Sequence, residues 1–325
     1  MVNVRTDLAI EAKEIYQEQN QGEKIPGVKI KEDFESGVHV TDVMIIDEIG
    51  ERNMGKPMGR YVTLEMPESV NFDRNVADDV SRVFAKTLSS MISLDKSMTA
   101  LVVGLGNWNI TPDALGPKVI SRLMITRHLK ELVPDSIDEN VRPVCALAPG
   151  VLGLTGIETG EIIKAVADDI KPNLIICIDA LAARRTDRMN KTIQIGNTGI
   201  SPGSGIGNKR MEISEKTLGI PVLAIGVPTV VHAATLANDT IDLAIDTFIK
   251  EATKGSDFYN MLNSLDKDEK QRLLNEVLYP QIGDMVVTPK DIDLVIDVIS
   301  KIIANGINIA LQPALTLEDI NKYIN

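Results

Sequence analysis

The stretch TALVVGLGNWNITPDALGP, residues 99–117, decides the fold of this chain. It opens with an uninterrupted apolar run at residues 100–103 and then turns through Gly104 and Gly106. A short apolar run bounded by glycine is typical of a buried strand in a parallel sheet. Open α/β sheets carry their chemistry in the crevice at the carboxyl ends of such strands. We therefore expect Asp113, the first carboxylate after this strand, to be a functional residue.

A second apolar run ends in the same way. Residues 174–178 (LIICI) lead directly into Asp179. Adjacent parallel strands lie about 4.8 Å apart, so carboxylates at neighbouring strand ends can approach each other closely. Two close carboxylates do not ionise together easily, so that one holds a proton while the other can act as a base. The pair Asp113 and Asp179 suits the activation of water for the hydrolysis of an amide.

Each of these aspartates also has an ordinary structural interpretation. Asp113 can be the N-cap of a helix that begins near Leu115, a role that aspartate often fills. Asp179 can cap a helix or form an ion pair with Arg184 or Arg185. From the residues alone, both interpretations stay open for each aspartate.

Through the middle of the chain, short apolar runs alternate with helical patterns. This alternation predicts an α/β fold with a mainly parallel central sheet and helices on both faces. The predicted strands lie at residues 100–104, 144–148, 174–178, 192–195 and 222–227. The predicted helices between them lie at residues 115–132, 160–169 and 229–250.

The amino-terminal part differs from this middle region. Residues 8–95 are richer in charge and carry weaker strand signals, at residues 40–46 and 60–65. We interpret them as an added subregion that packs on a catalytic core formed by residues 96–255.

The carboxyl-terminal part, residues 256–325, is predicted to be helical, with amphipathic helices at residues 266–278 and 289–304. All three parts together form a single α/β domain over residues 8–325 in this prediction.

The polar, glycine-rich segment at residues 197–210 is too long for a simple turn and indicates a lid or a binding loop.

Composition restricts the classes of partner. The formal net charge is −12 and aromatic residues make up only 3% of the chain, so nucleic-acid binding is disfavoured. The apolar runs are far shorter than the roughly 20 residues that a membrane span needs. The amino terminus does not have the pattern of a signal peptide. Two cysteines, Cys145 and Cys177, form no disulfide framework, which fits a reducing compartment. We expect a soluble cytoplasmic protein with neither nucleic-acid nor membrane partners.

A metal-dependent site is an alternative at the same rim of the sheet. His232 follows the predicted strand at residues 222–227 after a short connection. Together with Asp113 and Asp179 it could hold a divalent metal. No H-E-x-x-H spacing supports such a site, so the prediction contains no cofactor but leaves this alternative open.

A module that binds a small ligand without catalysis is the alternative from another class. Gly104 and Gly106 form half of a dinucleotide-binding fingerprint, but Asn109 stands where the third glycine belongs. The strand-end crevice remains a place for a small ligand.

Four segments of the chain resemble the spore germination proteases, the endopeptidases that begin the degradation of small acid-soluble spore proteins. The resemblance spans about residues 4–310, and it rests on GLGNWNITPDALGP (104–117), ALAPGVLGLTGIET (146–159), IDALAARR (178–185) and GVPTVVHAATLAND (226–239). It implies a fold similar to that of the hydrogenase maturation proteases. It also implies that Asp113 and Asp179 are the catalytic pair, that spore proteins are the substrates, that the chain forms a homotetramer and that it acts in the cytoplasm of the spore core.

The resemblance further implies a zymogen that removes its own amino-terminal segment. The matching junction lies in RTDLA, residues 5–9, with the cut between Asp7 and Leu8. Residues 1–7 would then be the propeptide. The prediction is therefore an aspartate-based endopeptidase made as a self-processing zymogen. Backbone amides of Gly106 and Asn107 are its candidates for binding the oxyanion, because a glycine turn can aim N–H groups into the crevice.

Overall fold

The computed structural model describes residues 6–20, 22–202, 210–264, 276 and 285–324. In this part of the chain one sheet runs in the order β1-β2-β3-β7-β8-β6-β4-β5, with β9 paired to β8. The strands are β1 (Val28–Glu35), β2 (Val38–Ile45), β3 (Gly59–Glu65), β4 (Ala100–Gly104), β5 (Val144–Leu147), β6 (Leu174–Ala183), β7 (Thr192–Gly196), β8 (Val222–His232) and β9 (Val286–Val287).

Helices in the described ranges connect and cover these strands. They are α1 (Ala9–Gln19), α2 (Glu48–Met54), α3 (Arg74–Ser89), α4 (Leu115–Ile120), α5 (Arg127–Leu132), α6 (Leu152–Thr155), α7 (Thr159–Ile170), α8 (Glu215–Leu218), α9 (Ala233–Glu251), α10 (Asp257–Asn263), α11 (Ile292–Leu311) and α12 (Leu317–Ile324).

The sheet is mixed, so the prediction of a mainly parallel sheet is wrong. Strands β5, β4, β6 and β8 lie side by side in parallel, as the βαβ pattern indicated. Among the described strands, however, five of the eight pairings are antiparallel. The difference arises in the segment interpreted as an added subregion. There β1 and β2 form a hairpin around Ser36 and Gly37, both with positive φ, and β3 pairs with β7. Residues 28–65 thus extend the central sheet itself.

Most predicted elements of the middle region are present, with shifted ends. Strand β4 has the predicted bounds, whereas β6 and β8 each continue for several residues beyond them. In place of the predicted helix at 115–132 there are two helices, α4 and α5. The first residues of the predicted helix at 229–250 belong to the end of β8, and α9 starts after them. The predicted helix at 266–278 lies outside the described residues except for Glu276. The one at 289–304 is present as α11.

Helices cover both faces of the parallel strands because successive side chains of a strand point to opposite faces. On one face Ile176 belongs to a core cluster that includes Phe84 of α3 and Ile303 of α11. On the other face Ile175 packs in a cluster with Ile163 of α7. These two clusters pack on opposite faces of the parallel strands and hold the carboxyl ends of the strands in place.

Helix α11 is long and apolar enough to cross a membrane by length and composition. Most of its residues are buried inside the protein, where it packs against α3 and α4. Its apolar character is therefore that of a central core helix.

Candidate active site

The parallel pairing of β4 with β6 brings the two predicted aspartates to one edge of the fold. Gly104, the last residue of β4, pairs with Ile178, the residue before Asp179. Asp113 lies on the 3-10 turn Thr111–Asp113 that follows this strand end. Asp179 itself is not at a strand end, because β6 continues to Ala183 alongside β8. Asp179 is only 7% exposed to solvent. The expectation that the two strands are neighbours is confirmed.

A tight loop positions Asp113. Gly106 has a φ of 109°, and a Cβ atom there would lie 2.0 Å from the carbonyl oxygen of Asp113. The backbone N–H of Asn107 donates to that same carbonyl oxygen at 3.0 Å. Only glycine tolerates both this conformation and this approach. The N–H of Asn107, predicted as an oxyanion donor, is thus engaged in closing the loop.

The two carboxyl groups titrate differently because of their surroundings. Burial, together with the nearby carboxylate of Asp113, raises the pKa of Asp179 to about 8, against the opposing effects of the Ala180 N–H and Arg210. Burial also raises the pKa of Asp113 to about 6, against the opposing effects of the Asn107 N–H and Arg210. Near neutral pH, Asp113 is therefore mainly ionised and Asp179 mainly protonated.

The amino-terminal segment lies against this pair. Leu8 is completely buried, and the Asp7 carboxylate accepts a hydrogen bond from the backbone N–H of Ala182 at 3.3 Å. Burial raises the pKa of Asp7, while Lys56, that N–H and His232 lower it. The Asp7 carboxylate in turn contributes to the raised pKa of Asp179. The junction predicted from RTDLA is consequently seated beside the aspartates.

Two side chains that the sequence prediction missed hold the backbone of this junction. Lys56 donates from Nζ to the carbonyl oxygens of Thr6 and Asp7, each at 3.0 Å. Gln194 donates from Nε2 to the Asp7 carbonyl oxygen at 3.0 Å and accepts from the Ala9 N–H through Oε1 at 2.6 Å. The only sequence signal that could have pointed to one of them is the position of Gln194, a polar residue inside the apolar strand β7. Nothing in the sequence around Lys56 distinguishes it from a surface lysine.

Comparison with known proteins shows the family of this chain. The family model described as germination protease matches residues 9–259 and 251–324. A germination protease of Clostridium tetani is 64% identical over 324 residues, covering all of both chains, and one of Clostridium perfringens is 58% identical over 326, again covering all of both. The chain belongs to the germination protease family.

More distant members show the same full-length relationship. A germination protease of Bacillus mycoides is 43% identical over 356 positions, covering 99% of this chain and 97% of the relative. That alignment is longer than the chain of 325 residues, so the relative carries residues absent here. The prediction of a spore germination protease from four motifs is confirmed for the family and for peptidase activity.

In this member of the germination protease family, His232 is not grouped with Asp113 and Asp179 as a metal site requires. It is the last residue of β8 and interacts electrostatically with Asp7. Over the described ranges, no three His, Cys, Asp or Glu side chains are grouped so that they could hold a metal ion. The structure therefore does not bring Asp113, Asp179 and His232 together as ligands.

The long loop predicted as a lid or a binding loop borders the candidate site of this germination protease at both of its ends. Residues 203–209 lie outside the described part of the chain. Ile200 and Ser201 line a cavity of about 340 Å³ around Asp7. At the other end, Arg210 lowers the pKa of both catalytic candidates, Asp113 and Asp179. The described ends of the loop thus lie near Asp7 and the two aspartates.

Proposed function

We propose that Asp113 and Asp179 are the catalytic pair with which this germination protease begins the degradation of small acid-soluble spore proteins. The observation that carries the proposal is the pairing of β4 with β6, which brings Asp113 and the buried Asp179 to one edge of the fold beside the buried Leu8, and the raised pKa values of the two carboxyls agree with it. A base and an acid with pKa values on either side of neutrality suit hydrolysis at the pH of a cell.

The unequal protonation assigns a role to each aspartate. The Asp113 carboxylate takes a proton from water, and the resulting hydroxide adds to the carbonyl carbon of the scissile peptide. Asp179 gives its proton to the leaving nitrogen as the carbon–nitrogen bond breaks. The products are a carboxylic acid and an amine, and transfer of the proton from Asp113 to Asp179 then restores the starting state of the pair.

We propose further that the chain is a zymogen whose residues 1–7 are removed by a cut between Asp7 and Leu8. The support is the position of Asp7, which lines the cavity and whose carboxylate acts on the pKa of Asp179, and the complete burial of Leu8, the residue after the proposed cut. While this segment is seated, a spore protein has no access to the pair. Removal of the segment would open the site.

Substitution of each aspartate tests the assignment. Asp113→Asn and Asp179→Asn should both abolish self-cleavage, followed by mass spectrometry, and cleavage of a purified small acid-soluble spore protein. Asp187→Asn is a matched control, because Asp187 is exposed and paired with Arg185. Wild-type rates in either active-site variant would refute the pair. Loss of activity with a chelator and its return with added metal would instead favour the metal-dependent alternative.

We also propose that the active form is a homotetramer in the cytoplasm of the spore core. Helix α9 supports self-association, because Asn238 is its only buried residue in the described structure. Its exposed side chains include Leu243 at 68% and Phe248 at 52% exposure. Light scattering should give the mass of four chains, and Leu243→Glu with Phe248→Glu should lower that mass if this surface is the interface.

A further inference from the structure

Three neighbouring strands place a carboxyl and an amide on one face of the sheet. Gly226 of β8 pairs with Asp179 of β6 on one side and with Gln194 of β7 on the other. Paired residues of adjacent strands point to the same face, and the strand spacing puts the outer two Cα atoms about 10 Å apart. Gly226 has no side chain, and Leu181 lies over it, where a Cβ atom would approach within 2.3 Å of Leu181 Cδ1.

Asp7 borders the cavity that two members of this row, Gln194 and Gly226, also line. Leu181 lines the same cavity. The carbonyl oxygen of Asp7 accepts from Lys56 Nζ and from Gln194 Nε2, both at 3.0 Å. When water gives a proton to Asp113 and the resulting hydroxide adds to the carbonyl carbon, this oxygen becomes negatively charged. Fixed donors at 2.7–3.1 Å from such an oxygen are the requirement for an oxyanion hole.

We propose that Lys56 and Gln194 are the oxyanion-binding residues of this peptidase, an inference that rests on the proposed cut between Asp7 and Leu8. The backbone amide of Asn107 does not fill this role, because it donates to the carbonyl oxygen of Asp113. An ammonium group and a neutral amide together stabilise a developing oxyanion more than the neutral carbonyl before it.

The structure holds both donors in place. Gln194 binds the backbone on both sides of Leu8, through the Asp7 carbonyl and the Ala9 N–H, so its amide holds the residue that follows the bond to be cut. Lys56 lies on the connection after α2, which the Tyr61 hydroxyl anchors by donating to the Pro57 carbonyl oxygen at 2.9 Å.

Lys56 forms hydrogen bonds with the backbone in addition to its electrostatic interaction with the nearby acids Asp7 and Glu11. Its hydrogen bonds go to two backbone carbonyl oxygens, those of Thr6 and Asp7. Burial lowers the pKa of Lys56, and the carboxylates of Asp7 and Glu11 oppose that lowering. Because Lys56 and Gln194 both follow the proposed cut in sequence, they stay in the mature chain. The same two donors are then available to the scissile carbonyl of a spore protein.

The test uses the full chain with Lys56→Met, Lys56→Arg and Gln194→Met, and follows the first-order rate of self-cleavage by mass spectrometry. Loss of one oxyanion donor should slow the reaction by about 100- to 1,000-fold, with partial recovery in Lys56→Arg. Lys191→Met is the matched control, because Lys191 is a lysine on the surface paired with Glu68, and it should cleave at the wild-type rate.

A second readout separates catalysis from anchoring of the segment. In an Asp113→Asn background, which should not cleave, hydrogen exchange of residues 8–12 reports whether the segment remains seated. Retained protection together with slow cleavage supports the oxyanion role. A wild-type rate in Lys56→Met or Gln194→Met, or a loss of protection that accounts for the slower cleavage, overturns it.

Failure of the proposed cut itself is distinguishable. If the wild-type chain does not cleave between Asp7 and Leu8, the propeptide assignment fails, and the two donors are then tested on a purified small acid-soluble spore protein. A fall in kcat of at least 100-fold at little change in KM would still support the oxyanion pair. An unchanged kcat would overturn it.

Discussion

Asp113, on the turn that follows β4, and Asp179, on the neighbouring parallel strand β6, have surroundings that give them pKa values of about 6 and about 8. The pKa values differ because Asp179 is more completely buried than Asp113 and because the charge of the Asp113 carboxylate raises the pKa of Asp179. Two aspartates close in space are in this way made into a base and an acid.

The first prediction is a bell-shaped dependence of self-cleavage on pH. The rate should rise as the pH increases through about 6, where Asp113 loses its proton, and fall as it increases through about 8, where Asp179 loses its own. First-order rates between pH 4.5 and 9.5 measure both limbs. A rate that keeps rising above pH 9 would show that no protonated carboxyl is needed.

The second prediction concerns removal of the leader. The Asp7 carboxylate helps to raise the pKa of Asp179, so its loss should lower that pKa. The alkaline limb of kcat/KM for a spore protein, which reports the free mature enzyme, should therefore lie at lower pH than the alkaline limb of self-cleavage. An alkaline limb at the same or a higher pH would show that Asp7 does not act on Asp179.

The third prediction is that Asp179→Asn stabilises the protein in a pH-dependent manner. A pKa raised in the folded state means that the native chain binds more protons than the unfolded chain, so stability is lost as the pH rises towards 8. The variant lacks this loss. The free energy of unfolding of the variant, relative to that of the wild type, should therefore grow by about 3 kcal/mol between pH 5.5 and 8.5. This figure follows from about 1.4 kcal/mol per pKa unit.

Urea unfolding of freshly purified, uncut chains at the two pH values checks the third prediction. The exposed control Asp187→Asn should show no such growth, because Asp187 is paired at the surface. A variant Asp179→Asn that is less stable than the wild type at pH 8.5 would contradict the buried, protonated state assigned to Asp179.

The fourth prediction concerns the anchor of the segment that follows the junction. The Glu11 residue is only 1% exposed, and its carboxylate accepts from the backbone N–H groups of Arg184 and Arg185 and from the Thr6 hydroxyl. Glu11→Ala leaves two backbone donors without this acceptor and should cost roughly 2 to 4 kcal/mol of folding free energy. Thermal unfolding measures the loss. Glu18→Ala, at an exposed position of the same helix, should change stability by less than about 0.5 kcal/mol.

Much of the parallel half of the fold was predictable because its signals are local. Continuous apolar runs such as residues 100–103 mark strands buried on both faces, and the residues after them reach the carboxyl edge of the sheet. The antiparallel half gave weak signals for a physical reason. Strand β1 is an edge strand with mostly exposed side chains, and its charged residues hide the alternation that identifies a strand.

The sequence by itself determined the family, the parallel strands and the two aspartates that follow from them, since each depends on short contiguous patterns. Only the tertiary structure decided that the amino-terminal strands extend the central sheet and that Lys56 and Gln194 meet at the carbonyl of Asp7. Gln194 and Asp7 are 187 positions apart in the chain. No local periodicity encodes such a contact, because it depends on the order and register in which the strands pair.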